Sequence, residues 1–473
     1  MFATFRPFII AVGSLPGIAV AADPPHYTAT FDAQTHQVEV RACLSQEHAH
    51  VQFAADSGWA MRFVHDVRRT DRPVRTDGDG WSADQWRAGE CLSYRADLGA
   101  IADEHKPDVG WRMGDDLMAA PQLWLLRPDV QNDADAEIDV VLPSGWSISA
   151  PWRQIDRNRF RIPNTPSDWS SAVAIGKFGE ERIDLPGGFL RLTILQGADA
   201  EQRKKLHDWL AHVSRAVLSA YGRLPLPEVQ VLMIPVDRGE NGVLFGQSIR
   251  GQGNALELLV SPARPASEFA DDWMAVHELS HLMHPYLGDR GSWLAEGLAT
   301  YYQNVLRGRS GMLTVAQAWD RLAEGFRRGA TASVRTSDTL DQTAQNMHRS
   351  HAFQRVYWAG AAYWLTVDRD LRRDSGGKLD LETALSRFRD CCLPAYREWK
   401  PEEFVGKLDA LAGTETFTKR WREFSQMTHF PEWEKLYADL GVRENGERVD
   451  FDDKAPDAAV RAAIISPRAP QTR

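Results

Sequence analysis

The residues of this chain best suited to chemistry are His277-Glu278-Leu279-Ser280-His281. Two histidines four apart project from one helix face, about 6 Å from each other. That separation lets both imidazoles reach a single ion at about 2.0–2.1 Å. Glu278, one residue on, is rotated toward a water at that ion rather than toward the ion itself. Fourteen residues separate His281 from Glu296, which sits in Trp293-Leu294-Ala295-Glu296-Gly297-Leu298-Ala299-Thr300-Tyr301-Tyr302. This is room for a turn over 285–291 and an antiparallel helical return that brings the carboxylate beside the imidazoles. Two histidines and one glutamate leave a fourth position open, the catalytic rather than the structural arrangement. Thr300, one turn beyond Glu296, is a candidate hydrogen-bond partner behind the ligands. His284 reads as structural or as a partner of the same kind.

These side chains need helices to hold them. Phe269, Trp273 and Val276 form an apolar stripe at helical spacing, predicting a helix over 269–283 with Ser267 as cap. Pro285 biases His284 out of the α region and ends that helix. Ser292 is the expected cap of the second helix. Upstream, short alternating segments such as Tyr27-Thr28-Ala29-Thr30-Phe31 and Val38-Glu39-Val40-Arg41 recur between turn residues, which predicts a β-sandwich over 23–185. Strand-like runs at 190–195, 229–234 and 256–260 flank a helical pattern at 199–222. Helical patterns then dominate to about residue 440. The fold class is multidomain α+β, with a catalytic unit over 186–310, a helical domain over 311–443 and a loosely ordered tail over 444–473. The polar stretch 329–350 reads as a long loop able to wall a cleft.

The chain has 473 residues, 43% hydrophobic and 25% charged, as expected of a folded globular protein. Its formal charge of −10 leaves no basic footprint for nucleic acid. No internal apolar run is long enough for stable membrane insertion. Residues 1–22 combine Arg6, a short apolar stretch and Ala19-Val20-Ala21, the pattern of an export signal cleaved near Ala21 or Ala22. A periplasmic or extracellular address follows, where disulfides persist. Cys43 and Cys91 lie in the same region and could pair. Cys391 and Cys392 are adjacent, and all four cysteines read as structural or incidental.

His277-Glu278-Leu279-Ser280-His281 followed by Trp293-Leu294-Ala295-Glu296-Gly297 resembles the gluzincin zinc metallopeptidases. Among them it resembles the glycyl aminopeptidase family and, more distantly, the aminopeptidase N and leukotriene A4 hydrolase family. The resemblance implies a thermolysin-like catalytic domain holding one zinc per chain through His277, His281 and Glu296, with Glu278 as general base. Val356-Tyr357-Trp358-Ala359-Gly360 resembles the Tyr-x-x-Gly segment of these peptidases, so Tyr357 would donate a hydrogen bond to the oxyanion. One departure bears on substrate choice. Where the aminopeptidases carry a glutamate for the free amine, Arg250-Gly251-Gln252-Gly253-Asn254-Ala255 offers Gly253, while Asn254-Ala255 resembles the edge-strand dipeptide of thermolysin-like endopeptidases. Gly253, Asn254 and Ala255 are thus the implied substrate-binding residues, with an extended peptide adding as a strand. The expected function is an exported zinc peptidase that hydrolyses a peptide or protein substrate through a zinc-bound water and tends to internal cleavage. Its alternatives are an aminopeptidase with a non-standard amine anchor and a catalytically weak, zinc-stabilised binding protein.

Overall fold

Alternation sets the first third of the chain. In Gln37–Cys43 the side chains of Val38, Val40 and Ala42 are buried while Glu39 and Arg41 face solvent, the two-residue period of a half-buried strand. This strand lies inside a seven-stranded sheet, between His26–Asp32 and Cys91–Asp97. Cys43 stands directly opposite Cys91 and is disulfide-bonded to it. A four-stranded sheet containing His48–Ala54 and Gly80–Trp86 shares one apolar core with it, in which Val51, Phe53 and Trp86 join Val38, Val40 and Leu92. The computed structural model describes residues 24–466 except 55–58, 71, 79, 131–134, 238, 334–336 and 446–447. Residues 1–22, expected to be an export signal, therefore lie outside the described residues.

The next part of the chain is built on a five-stranded mixed sheet. Its strands are β1 (Glu180–Leu185), β2 (Gly188–Ile194), β3 (Glu228–Pro235), β4 (Val243–Ile249) and β5 (Ala255–Val260), in the order β1-β2-β3-β5-β4. The sheet thus begins ahead of the boundary read at 186. β2, β3 and β5 run parallel, and β4 pairs antiparallel with β5 at the edge. The buried residues of β3 and β5 lie on both faces and are apolar apart from Gln230 and Glu257, because both faces are covered. Leu232, Ile234, Ala255 and Leu259 pack toward Trp111, Met118 and Ala174 of a third β-sheet, whereas Val231, Met233, Leu256 and Leu258 pack toward helices. One expectation is corrected here: Ala255 opens an inner strand, and the edge that could accept a peptide is β4.

Against the helical face lie α1 (Ala200–Leu218), α2 (Met274–Ser280), α3 (Ser292–Arg309), α4 (Val315–Ser333) and α5 (Phe353–Asp374). Asp199 and Gln202 form a reciprocal capping box at the start of α1. The single helix expected over 269–283 is broken into three pieces. A short helix Ala266–Ala270 follows Pro265, with Ser267 inside it rather than capping it. Asp272 then accepts the Met274 N–H and restarts the chain as α2, which tightens into a 3-10 turn at His281–Met283. His284 is extended before Pro285, as expected. Ser292 is the first residue of α3 and makes no cap.

α3 and α5 cross at two glycines. A Cβ on Gly360 would stand 1.9 Å from the Trp293 carbonyl oxygen and 2.7 Å from the Gly297 Cα. The Trp364 indole N–H donates to the Leu294 carbonyl at 2.8 Å, and the Tyr301 hydroxyl to Asp368 at 2.9 Å. Beyond them a buried ionic cluster closes the pair: Arg309 and Arg372 both donate to Glu382 at 2.8 Å, and Arg372 also to Asp368 at 2.9 Å. Two regions differ from expectation. The stretch 329–350 is largely helical, through the end of α4, Leu340–Gln345 and Met347–Ser350. The tail forms a hairpin, Val442–Asn445 with Arg448–Phe451, and a helix Ala458–Ile465. That helix is held because Ile464 and Ile465 are buried and Arg309 donates to the Ile464 carbonyl. Among the described residues no helix is long and apolar enough to cross a membrane.

Candidate active site

α2 carries His277 and Glu278, the 3-10 turn carries His281, and α3 returns Glu296 to them. The His277 Nε2 is 3.2 Å from the His281 Nε2 and 3.2 Å from the Glu296 Oε2, and the His281 Nε2 is 3.5 Å from that oxygen. Ligand atoms at about 2.0–2.1 Å around a tetrahedral ion stand about 3.3 Å apart. The three spacings fit that geometry.

The outer hydrogen bonds decide which ring nitrogens are bare. The His277 Nδ1–H donates to the Gln303 Oε1 at 2.8 Å. The His284 Nδ1–H donates to the Pro285 carbonyl at 2.7 Å. His284 is kept neutral because burial, reinforced by the Arg250 charge, pushes its pKa well below the usual range. Its Nε2 therefore accepts from the His281 Nδ1–H at 3.0 Å. Each of the two histidines then presents a bare Nε2 to its neighbour and to a carboxylate. Three such acceptors facing one point could hold a metal ion between them. The donor set, two imidazoles and a carboxylate, is that of a catalytic zinc centre.

Glu278 is buried beside this cluster. Burial raises its carboxyl pKa against the pull of His277 and His281. The helix can bring Glu278 so close to the sheet because β4 offers bare backbone there: a Cβ on Gly246 would lie 2.9 Å from Met274 and 3.0 Å from the Glu278 Cγ. Tyr357, at the start of α5, stacks on His277 with ring centroids 6.0 Å apart. Burial together with the negative charge of Glu296 raises the pKa of its hydroxyl, so it stays a protonated donor. The Gly297–Gly360 contact places it there, since any larger residue would part the two helices. Glu278, Glu296, Tyr357 and β4 residues 245–248 line one cavity of about 360 Å³. Met347 and His348, from the stretch expected to wall a cleft, line it too.

Two contributors were not legible. Arg250, just past the end of β4, is half-buried and donates to the carbonyls of His281 at 2.5 Å and His284 at 3.4 Å. Burial lowers its pKa to about 10, opposed by Glu296 and Glu278. It ties the end of the edge strand to the turn that carries the second histidine. Gln303 is the other, and it replaces Thr300. The Thr300 hydroxyl is buried without a hydrogen-bond partner and lines a different cavity. Its position one turn from Glu296 was the only signal, and the register of α3 against α2 selects Gln303 instead.

Gly253, Asn254 and Ala255 are not brought to the site. Gly253 has φ +145°, and a Cβ there would lie 2.0 Å from the Pro151 carbonyl oxygen. Its neighbour Gln252 accepts from the Trp152 indole N–H at 2.8 Å. The segment packs under the N-terminal half of the molecule, so Gly253 cannot mark the place of an amine anchor.

The M61 glycyl aminopeptidase family matches residues 275–365, the span that carries His277, Glu278, His281, Glu296 and Tyr357. Among solved structures, an aminopeptidase N family protein from Idiomarina loihiensis is 14% identical, with a TM-score of 0.68 over 88% of this chain and 78% of that one. An M1 zinc metallopeptidase from Deinococcus radiodurans is 16% identical, with a TM-score of 0.50 over 87% and 94%. A two-domain M1 zinc metallopeptidase mutant bound to L-arginine is 15% identical, with a TM-score of 0.53 over 87% and 95%. At such identities the likeness is one of fold, that of a multidomain α+β peptidase. No curated protein matches the chain. The resemblance to the glycyl aminopeptidase and aminopeptidase N families is thereby borne out, and with it a hydrolase of the peptidase class.

Proposed function

We propose that the chain is an exported zinc metallopeptidase that cleaves within peptide chains. One zinc per chain would be held by His277, His281 and Glu296 in a thermolysin-like unit set between the N-terminal sheets and the C-terminal helices. The observation that carries this reading is the pair of bare imidazole nitrogens facing a carboxylate at ligand spacing, with a buried carboxylate beside them. Zinc in such a site supplies Lewis-acid polarisation of a carbonyl and a water of lowered pKa. The protein's own groups do the rest. Glu278 takes the proton of the attacking water and passes it to the leaving nitrogen. Tyr357 donates its hydroxyl to the oxygen that becomes negative as the carbonyl is attacked. The free edge of β4 offers backbone hydrogen bonds to an extended substrate. Export is supported by residues 1–22 and by the Cys43–Cys91 bond, which suits an oxidising compartment.

Internal cleavage is favoured because β4 carries no carboxylate to grip a free amine. One observation supports the aminopeptidase reading instead: Asp289 lines the same cavity. Matched peptides with free and acetylated N-termini separate the two. We expect both to be cut, and loss of cleavage on acetylation overturns the internal-cleavage reading. Glu278→Gln is expected to keep its zinc and to lose about 10²–10⁴-fold in hydrolysis. Undiminished turnover in that variant removes Glu278 as the base.

A further inference from the structure

Behind Tyr357 lies a second cavity, of about 380 Å³. It opens beside the reaction site, since Tyr357 walls both cavities and its Gln303 is the hydrogen-bond partner of His277. Its character is different. Arg307, on α3, is buried and reaches into it, and the Arg307 Nε–H has no acceptor while one Nη donates to the Asp271 carbonyl at 2.7 Å. The buried Thr300 hydroxyl on the same wall is also without a partner. Across the cavity the Arg328 guanidinium lies 5.2 Å over the Trp358 ring and has a neutral contact, the Gln354 Oε1 at 3.4 Å.

Asp271 and Glu324 line the cavity too, and Asp272 and Asp271 lie near enough to Arg307 to attract its charge, but none of these carboxylates is hydrogen-bonded to it. Asp272 accepts the Met274 N–H, Glu324 faces Arg321 at 3.6 Å, and Asp271 is exposed to solvent. Unsatisfied buried donors cost free energy unless something brings them an acceptor, and guanidinium groups suit planar carboxylates.

We propose that this cavity takes a carboxylate of the peptide substrate through Arg307 and Arg328, and so sets which peptides are cut. The inference rests on the peptidase reading above. The carboxylate has two sources, an acidic side chain near the scissile bond or the free end of a short peptide. In both cases the route from the metal ligands runs past Tyr357, the residue that walls both cavities.

The test uses the mature protein and acetylated hexapeptides of alanine with one glutamate or glutamine walked along the chain, each with a free or an amidated C-terminus. A charge-assisted contact of this kind predicts at least about a tenfold higher kcat/KM for the carboxylate member of one pair. A glutamate-over-glutamine ratio assigns the side chain, and an acid-over-amide ratio assigns the chain end. Arg328→Gln, a surface change, and Arg307→Gln are expected to bring that ratio toward one. Ratios near one in the unaltered protein, or ratios that both variants leave intact, overturn the proposal. If Arg307→Gln does not fold, Arg328→Gln decides. Calorimetric binding of the same peptides to Glu278→Gln reads the pocket even where nothing is cut. Absent cleavage thus counts against the peptidase reading, and absent carboxylate selectivity in binding counts against the pocket.

Discussion

α3 and α5 carry two buried clusters of charge, and they are finished differently. Toward the C-terminal end of the pair, Arg309 and Arg372 meet Glu382 and Asp368 in direct hydrogen bonds, joined by the hydroxyls of Tyr301 and Tyr302. Every charge there has an opposite partner of its own chain. Near the N-terminal end, His277, His281 and Glu296 offer acceptors and no donor. The first cluster is complete when the chain has folded. In the reading proposed above, the second is complete only when a cation arrives from outside. A buried ion pair fastens helices together, and a buried set of acceptors selects a ligand.

The contrast can be broken from either side. The largest effect is expected from His281→Ala, which removes a ligand from the incomplete cluster. Metal analysis should fall from about one zinc per chain to background, and peptide hydrolysis should go with it. Retention of stoichiometric zinc by this variant refutes the ligand set. Next comes Glu382→Ala, which takes from Arg309 its carboxylate partner and leaves Arg372 with Asp368 alone of the two it bonds. Denaturant unfolding should show a loss of about 3–5 kcal/mol, while zinc content per folded chain stays as before. A loss below 1 kcal/mol would show that the cluster is no fastener. The smallest effect is expected from Gln303→Ala, which frees the His277 ring to turn. Chelator competition should find zinc bound about 10–100-fold more weakly, and unchanged affinity would return the outer role to another group.

What could be read from the residues was what lies within one helix or across one short turn. His277, Glu278 and His281 are neighbours on a single helical face, and Glu296 follows after a connection too short to lead elsewhere. Alternation made the N-terminal sheets legible in the same way. Arg250 was not legible, because its partners are the carbonyls of His281 and His284, far along the chain, and a carbonyl has no residue type. Gly253 was misread for a related reason. Strand order is a property of the whole sheet, and β5 lies inside β4 although it follows it in the chain. The stretch 329–350 looked like a loop because its polar residues face solvent, while a few apolar contacts such as Leu340 and Met347 dock its short helices. The tail was underestimated for the same cause, since two isoleucines anchor it.

The crossing of Gly297 with Gly360 has a consequence for how the reaction geometry survives change. Backbone touches backbone there, with no side chain between to swell, shrink or rotate. The offset between the phenol of Tyr357 and the carboxylate of Glu296 is therefore gauged by main-chain thickness alone. Repacking elsewhere in the core can drift over generations without detuning it, but a single added methyl at either glycine would throw it out of calibration.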